Sequence, residues 1–261
     1  MHVYLDGFAA QPGGPGLPPG RAGAAEYRQV MDWLGLERVV VTQGNAHQFD
    51  NANLLTALAE FGDIARGVAV VTGATRDAEL EALHAAGVRG ARVMDLPGGA
   101  VGLARLAEVD ARARSLDWVL AVQFDGTHLR THLPRLEAVK SRFIIDHHGK
   151  FFDGIAPGDP RIEALKHLID RGNCWFKLAG CYESSRAGGP EYADVGAVAR
   201  EIVAHAPERV IWGTNWPHNA ASTPEAYPDD AALLDLLLDW APDPAWQRQI
   251  LVDTPTRLFG F

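Results

Sequence analysis

The sequence predicts an α/β fold in which parallel strands alternate with crossover helices. Three observations carry the prediction. Short apolar runs, rich in β-branched and aromatic residues, recur along the whole chain, as expected of strands buried on both faces. Longer amphipathic stretches separate them, and the two kinds alternate strictly, which implies parallel strands joined by helices. The length, 261 residues, suits one α/β domain of barrel size.

The elements follow in order. His2 to Leu5 is a short apolar run at the terminus. Residues 11–22, QPGGPGLPPGRA, are Gly/Pro-rich and read as a loop, either plain surface or a lid over the active end. Helical periodicity then covers Ala24 to Leu34, followed by a strand at Arg38 to Thr42 and a helix at Ala52 to Phe61. Three strand–helix pairs come next: Gly67 to Val71 with Asp77 to Ala86, Gly90 to Met94 with Leu103 to Arg114, and Val119 to Phe124 with Leu129 to Val139. The last pairs are Phe143 to Asp146 with Ile162 to Arg171, Trp175 to Ala179 with Val195 to Ala206, and Val210 to Gly213 with Asp229 to Trp240; a final helix covers Ala245 to Val252. A closed eight-stranded barrel needs His2 to Leu5 as its first strand; an open seven-stranded sheet does not. No G-x-G-x-x-G turn follows a strand, so a dinucleotide site has no support. No linker divides the chain, and residues 1–261 read as one domain.

Composition excludes several classes. The formal net charge is −9, from 24 basic and 33 acidic residues. A broad nucleic-acid footprint needs clustered Lys and Arg, so none is expected; a local basic pocket for a small anion remains compatible. Two cysteines, Cys174 and Cys181, cannot build a disulfide framework or a four-thiolate zinc site. No apolar run approaches the ~20 residues that span a bilayer, so no membrane partner is expected. The start, MHVYLDGFAA, lacks the pattern of a secretory signal, so the cytoplasm is the expected compartment.

Chemistry-bearing residues gather at the C-terminal ends of the strand candidates, where a barrel builds its site. These are His2 and Tyr4; Gln43, Asn45 and His47; Arg92 and Asp95; Gln123 and Asp125; Asp146, His147, His148 and Lys150; Lys177, Tyr182, Glu183 and Arg186; Asn215 and His218. His147 and His148 are adjacent, so in extended backbone they face opposite ways and at most one enters the site. Histidine suits proton transfer because it titrates near neutrality. Lys177 and Arg92 are charges inside apolar strands, costly unless they meet an anion or an internal partner such as Asp95 or Asp125.

The strings QGNAHQFDN, GVRGARVMDLPGG, FIIDHHGK, CWFKLAGCYESS and WGTNWPHN, in this order, resemble the amidohydrolase superfamily. More narrowly they resemble its 2-pyrone-4,6-dicarboxylate lactonase branch, and within it the members that isomerise galactarolactone in galacturonate oxidation. The resemblance spans His2 to the terminal DTPTRLFGF. It implies a (β/α)₈ barrel and a small anionic sugar-acid lactone as the partner. Metal-dependent members carry an H-x-H pair on the first strand and an Asp on the last. Here His2 matches the second His, the first falls before Met1, and Asn215 stands in the Asp place. No metal and no other cofactor is expected. Either the start lies late, or the first strand is truncated and leaves a weak seam.

An amide cannot deprotonate water near neutrality. A sugar-acid lactone carries its own nucleophiles, and an intramolecular hydroxyl profits from high effective molarity. The expected reaction is therefore transfer of an aldaric acid 1,5-lactone, D-galactaro-1,5-lactone, to the 1,4-lactone. The expected catalytic residues are His147, Asn215 and Lys177. Expected substrate contacts are His2, Tyr4, Asn45, His47, Arg92, Gln123, Lys150 and His218, with Arg92 and Lys150 on the distal carboxylate. The alternatives are a metal-independent lactonase and a non-catalytic sugar-acid binder. The oligomeric state is left open.

Overall fold

The structure is a computed structural model describing residues 1–221, 223 and 226–261. Its strands are β1 (Val39–Thr42), β2 (Ala65–Ala69), β3 (Val88–Asp95), β4 (Val119–Phe124), β5 (Phe143–Ile145), β6 (Cys174–Leu178) and β7 (Val210–Trp212). They form one seven-stranded sheet in sequential order, and every neighbouring pair is parallel. The helices are α1 (Ala24–Leu34), α2 (Ala52–Phe61), α3 (Asp77–Ala85), α4 (Leu106–Arg114), α5 (Leu129–Ala138), α6 (Pro160–Asp170), α7 (Ala193–His205), α8 (Asp230–Trp240), α9 (Pro244–Arg248) and α10 (Thr254–Phe259). Local chemistry sets several starts. Asp159, Asp229 and Asp243 accept from the backbone N–H groups of Arg161, Ala231 and Ala245 and cap α6, α8 and α9. Among the described residues, no helix is long and apolar enough to cross a membrane.

The expected elements shift at their edges. The second strand begins two residues early, at Ala65, and ends at Ala69. Beyond it the Asn51 side chain takes over the pairing, accepting from Val70 N–H and donating to Val70 C=O. The expected final helix, Ala245 to Val252, divides into α9 and a π-turn over Gln249–Asp253, and a further helix, α10, follows with Pro255 in its first turn.

Residues 2–5 make an isolated bridge, Tyr4 to Ala22, instead of a ladder. Their bonds still reach both edges of the sheet. Thr42 N–H donates to Met1 C=O at 2.9 Å, and His2 N–H donates to Trp216 C=O at 2.8 Å. The Asn53 side chain replaces a neighbouring strand, accepting from Leu5 N–H and donating to Val3 C=O. One short segment thus touches the ends of both β1 and β7, so the sheet is curled.

Curling sorts the side chains. Val68, Val119, Ala121, Ile144, Ile211, Leu258 and Phe259 form one apolar cluster, separate from the larger core beneath the helices. Alternation along a strand puts residues two apart on the same face. The face that carries Val119, Ala121 and Ile144 continues to Gln123 and Asp146. Trp175 leads likewise to Lys177. The inner face is therefore apolar at the N-terminal end, where α10 packs, and polar at the C-terminal end.

Candidate active site

The polar end is built by turns with unusual backbone. After β5 the chain enters a tight turn at His147–Gly149, with positive φ at His147 (51°), His148 (52°) and Lys150 (47°). After β7, Asn215 (61°) and His218 (58°) do the same. Non-glycine residues in this region are strained, and such strain persists only where surroundings impose it. The turn separates the adjacent histidines. His147 faces Asn215, Nε2 to Oδ1 at 2.9 Å. His148 packs edge-on against Trp240 and Phe176, at 5.3 and 6.3 Å between ring centres, and burial lowers its pKa to about 3. Of the pair, His147 enters the site and His148 belongs to the layer between sheet and helices.

Proton positions follow from the partners. Asn215 Nδ2 donates to Tyr182 Oη at 2.8 Å and to Glu183 Oε1 at 2.7 Å. Its Oδ1 therefore accepts, and His147 Nε2 carries the proton. His147 Nδ1 lies 3.0 Å from Asp146 Oδ1, out of line for a hydrogen bond. Lys177 Nζ sits 3.0 Å from the same oxygen. Lys177 thus has an internal partner, and it is Asp146. Burial works against ionisation of Asp146, but Lys177 and then His147 outweigh it and hold the carboxyl well below the carboxylate range. Glu183 is lowered in the same way: burial opposes ionisation, and His147 and Lys150 overcome it. Lys150 Nζ donates to Glu183 Oε2.

Arg92 is buried differently. Its guanidinium donates to Gln43 C=O at 2.7 Å, to Gln123 Oε1 at 3.1 Å and to Met94 Sδ at 3.3 Å, all neutral groups. Burial lowers its pKa, and more distant Asp146, Tyr4 and Glu183 offset part of that. His2 Nδ1 lies 2.9 Å from Thr42 C=O; burial and the Arg92 charge keep its pKa well below that of an ordinary histidine.

The remaining expected residues frame the mouth. Asn219 Nδ2 donates to Tyr4 Oη at 2.7 Å, and the Tyr4 ring leans on His47 at 5.6 Å. A Cβ at Gly44 would stand 2.7 Å from Tyr4 Oη, so this approach requires glycine. Asn45 Nδ2 reaches Met94 Sδ at 2.8 Å, and His47 Nδ1 lies 3.3 Å from Ala9 C=O. The Gly/Pro-rich stretch lies over the same turn: Gln11 N–H donates to Ala46 C=O, and Gly14 packs on Asn45 C=O. His218 turns both nitrogens to protein groups, Nδ1 to Tyr182 Oη at 2.7 Å and Nε2 toward Asp230 Oδ1 at 3.3 Å. Asp95 and Asp125 hold backbone N–H groups of Leu103 and Thr127.

The structure thus joins His147, Asn215 and Lys177 through Asp146, and joins Arg92 to Gln123. Asp146, Tyr182, Glu183 and Gln43 carry contacts that sequence reasoning left without roles. Their signal was position alone, at or just beyond a strand end. The donor set does not fit a metal ion. His147 points a proton at an amide, Asn215 is neutral, and Lys177 holds the Asp146 oxygen. Among the described residues, no group of three or more His, Cys, Asp or Glu side chains is placed to share a cation.

Known proteins resemble the chain throughout. The amidohydrolase family model matches residues 4–261. D-galactarolactone isomerase of Agrobacterium fabrum (strain C58 / ATCC 33970) is 56% identical over 260 residues, covering 99% of this chain and 89% of that protein. A 2-pyrone-4,6-dicarboxylate hydrolase of Comamonas testosteroni is 33% identical, covering 92% of this chain and 82% of its own length. The apo crystal structure of an Agrobacterium tumefaciens protein superposes with a TM-score of 0.95 at 56% identity, over 100% of this chain and 94% of that one.

Proposed function

The chain belongs to the amidohydrolase family, and from that premise we propose that it isomerises D-galactaro-1,5-lactone to the 1,4-lactone. The observation that carries the reading is the Asn215 amide bonded to His147 at 2.9 Å, where the metal-dependent relatives place a carboxylate. The site polarises a carbonyl and moves a proton, but its position 215 has no basicity to spend on water.

The chemistry needs no external nucleophile. The substrate's 4-hydroxyl oxygen attacks C1, and its proton passes to Nδ1 of His147, the ring nitrogen that makes no hydrogen bond. The tetrahedral oxyanion is stabilised by Lys177, held in place by Asp146. Collapse breaks the bond between C1 and the 5-oxygen, and His147 returns the proton to that oxygen. No water is consumed. Arg92 grips the distal carboxylate, since a buried guanidinium surrounded by neutral partners favours a planar anion. Lys150, buried against Glu183, adds positive charge beside the site. Asn45, His47 and Gln123 read hydroxyl groups, His2 and Tyr4 close the floor and wall, and His218 stands behind Tyr182. No step is routed through a metal.

We infer further that residues 1–261 form one domain and that the curled sheet is a (β/α)₈ barrel, with residues 2–5 in the place of its first strand. The bonds from residues 1–2 to Thr42 and Trp216 support that closure. An NMR time course of the purified protein with the 1,5-lactone tests the function. The expected result is accumulation of the 1,4-lactone ahead of open-chain acid, at a rate unchanged by chelator. Accelerated ring opening alone would overturn it and favour a lactonase; ligand stabilisation without turnover would favour a binder.

A further inference from the structure

Position 215 is wired from several sides for a hydrogen-bond donor. Glu183 Oε1 lies 2.7 Å from Asn215 Nδ2 and, as a carboxylate, only accepts. Tyr182 Oη lies 2.8 Å from the same nitrogen, and its own proton points to His218 Nδ1 at 2.7 Å. That direction is fixed from behind. His218 Nε2 and Asp230 Oδ1 are buried 3.3 Å apart, out of line for a hydrogen bond. The facing carboxylate charge still favours the proton on Nε2 and leaves Nδ1 to accept. Asp230 sits in the first turn of α8, where the helix dipole favours its charge. The donors run in one direction, His147 to Asn215, Asn215 to Tyr182 and Tyr182 to His218, with Asp230 as the charge behind His218.

We propose that Glu183, backed by the Asp230–His218–Tyr182 chain, determines reaction specificity by demanding a donor at position 215 and so keeping a water-activating carboxylate out of it. The inference rests on the lactone-transfer reading and adds a residue to it. A carboxylate at position 215 would meet Glu183 at hydrogen-bond distance, and two such groups share one proton. The shared proton disables the base that hydrolysis needs. The other groups around the position do not remove the conflict. His147 faces it from the β5 turn with Asp146 and Lys177 behind, Lys150 already neutralises the far oxygen of Glu183, and His218 with Asp230 holds Tyr182. Glu183 and the Tyr182 chain act as specificity-determining and positioning groups, not as the groups that transfer the proton.

The test compares N215D, E183Q and N215D/E183Q. Carbon-13 NMR of the carboxyl at position 215 should show it titrating well above the ordinary aspartate range in N215D, and markedly lower in the double variant. Identical titration in both would overturn the proposal. Acid release from the 1,5-lactone at pH 7 should be at least about tenfold faster in N215D/E183Q than in N215D, with the gap closing as pH rises, while E183Q alone releases no more acid than the parent. Equal hydrolysis by N215D and the double variant at pH 7 would contradict it. Should N215D lose its native melt while the double variant keeps it, the charge conflict is read as stability and supports the proposal; equal loss in both counts against it. Failure of the parent to transfer the lactone would sink the functional reading alone, since the titration still decides the wiring.

Discussion

The two halves of the mouth are built on opposite electrostatic principles. Along β5–β7 the two buried lysines each have an internal carboxylate: Lys177 with Asp146, Lys150 with Glu183. Polar side chains there form a directed chain through Asn215, on strained backbone at His147, Lys150 and Asn215. Along β1–β4 one cation, Arg92, is buried among a carbonyl, an amide and a thioether. A prepaired, rigid half is suited to chemistry, because its dipoles are set before substrate arrives. A half with unspent positive charge is suited to holding an anion. In the proposed reaction a lactone with a distal carboxylate would span both.

Breaking the reacting half should give the largest effect. His147→Gln keeps a donor near Asn215 but removes proton transfer, and kcat should fall by about 10²–10⁴-fold with little change in KM. A comparable rise in KM would mean that His147 binds instead. Breaking the binding half should act on the other constant. Arg92→Met removes a charged hydrogen-bond donor worth about 1.5–3 kcal/mol, so kcat/KM should drop roughly 10–100-fold, mostly through KM. Steady-state kinetics on the 1,5-lactone separates the two patterns.

A smaller effect sharpens the contrast between His147 and its neighbour. His148 is buried neutral, its pKa lowered by burial from the ordinary histidine value of 6.5 to about 3. The unfolded chain therefore binds a proton there that the folded chain refuses. The stability is fully present above the unfolded value and is lost as pH falls below it toward the folded value. Asp146 and Glu183, both lowered, add the same sign further down, below the ordinary carboxylate range. His148→Phe should flatten the decline in melting temperature between pH 6.5 and 4, by roughly 5 °C at the acid end. An unchanged decline would place the acid sensitivity elsewhere.

Much of this was legible in the sequence, for physical reasons that differ by residue. Apolar β-branched runs and amphipathic periodicity located α1 and α2 to the residue and the strands to within two. Strand-end position picked out His147, Lys177 and Asn215. Which of His147 and His148 turns inward was not legible, because side-chain alternation holds for extended backbone and φ is positive at both. The partner of Lys177 escaped because it comes from the neighbouring strand, at a register no local pattern encodes. Glu183 escaped because its meaning depends on the amide it faces, 32 residues away in the chain.

In the proposed mechanism one half of the mouth transfers the lactone internally while water takes no part, and running the reaction in oxygen-18 water decides the point. The 1,4-lactone formed early should carry no label in its carbonyl or ring oxygen by mass spectrometry. Label in that product at early time would mean ring opening followed by reclosure, and would rule out internal transfer.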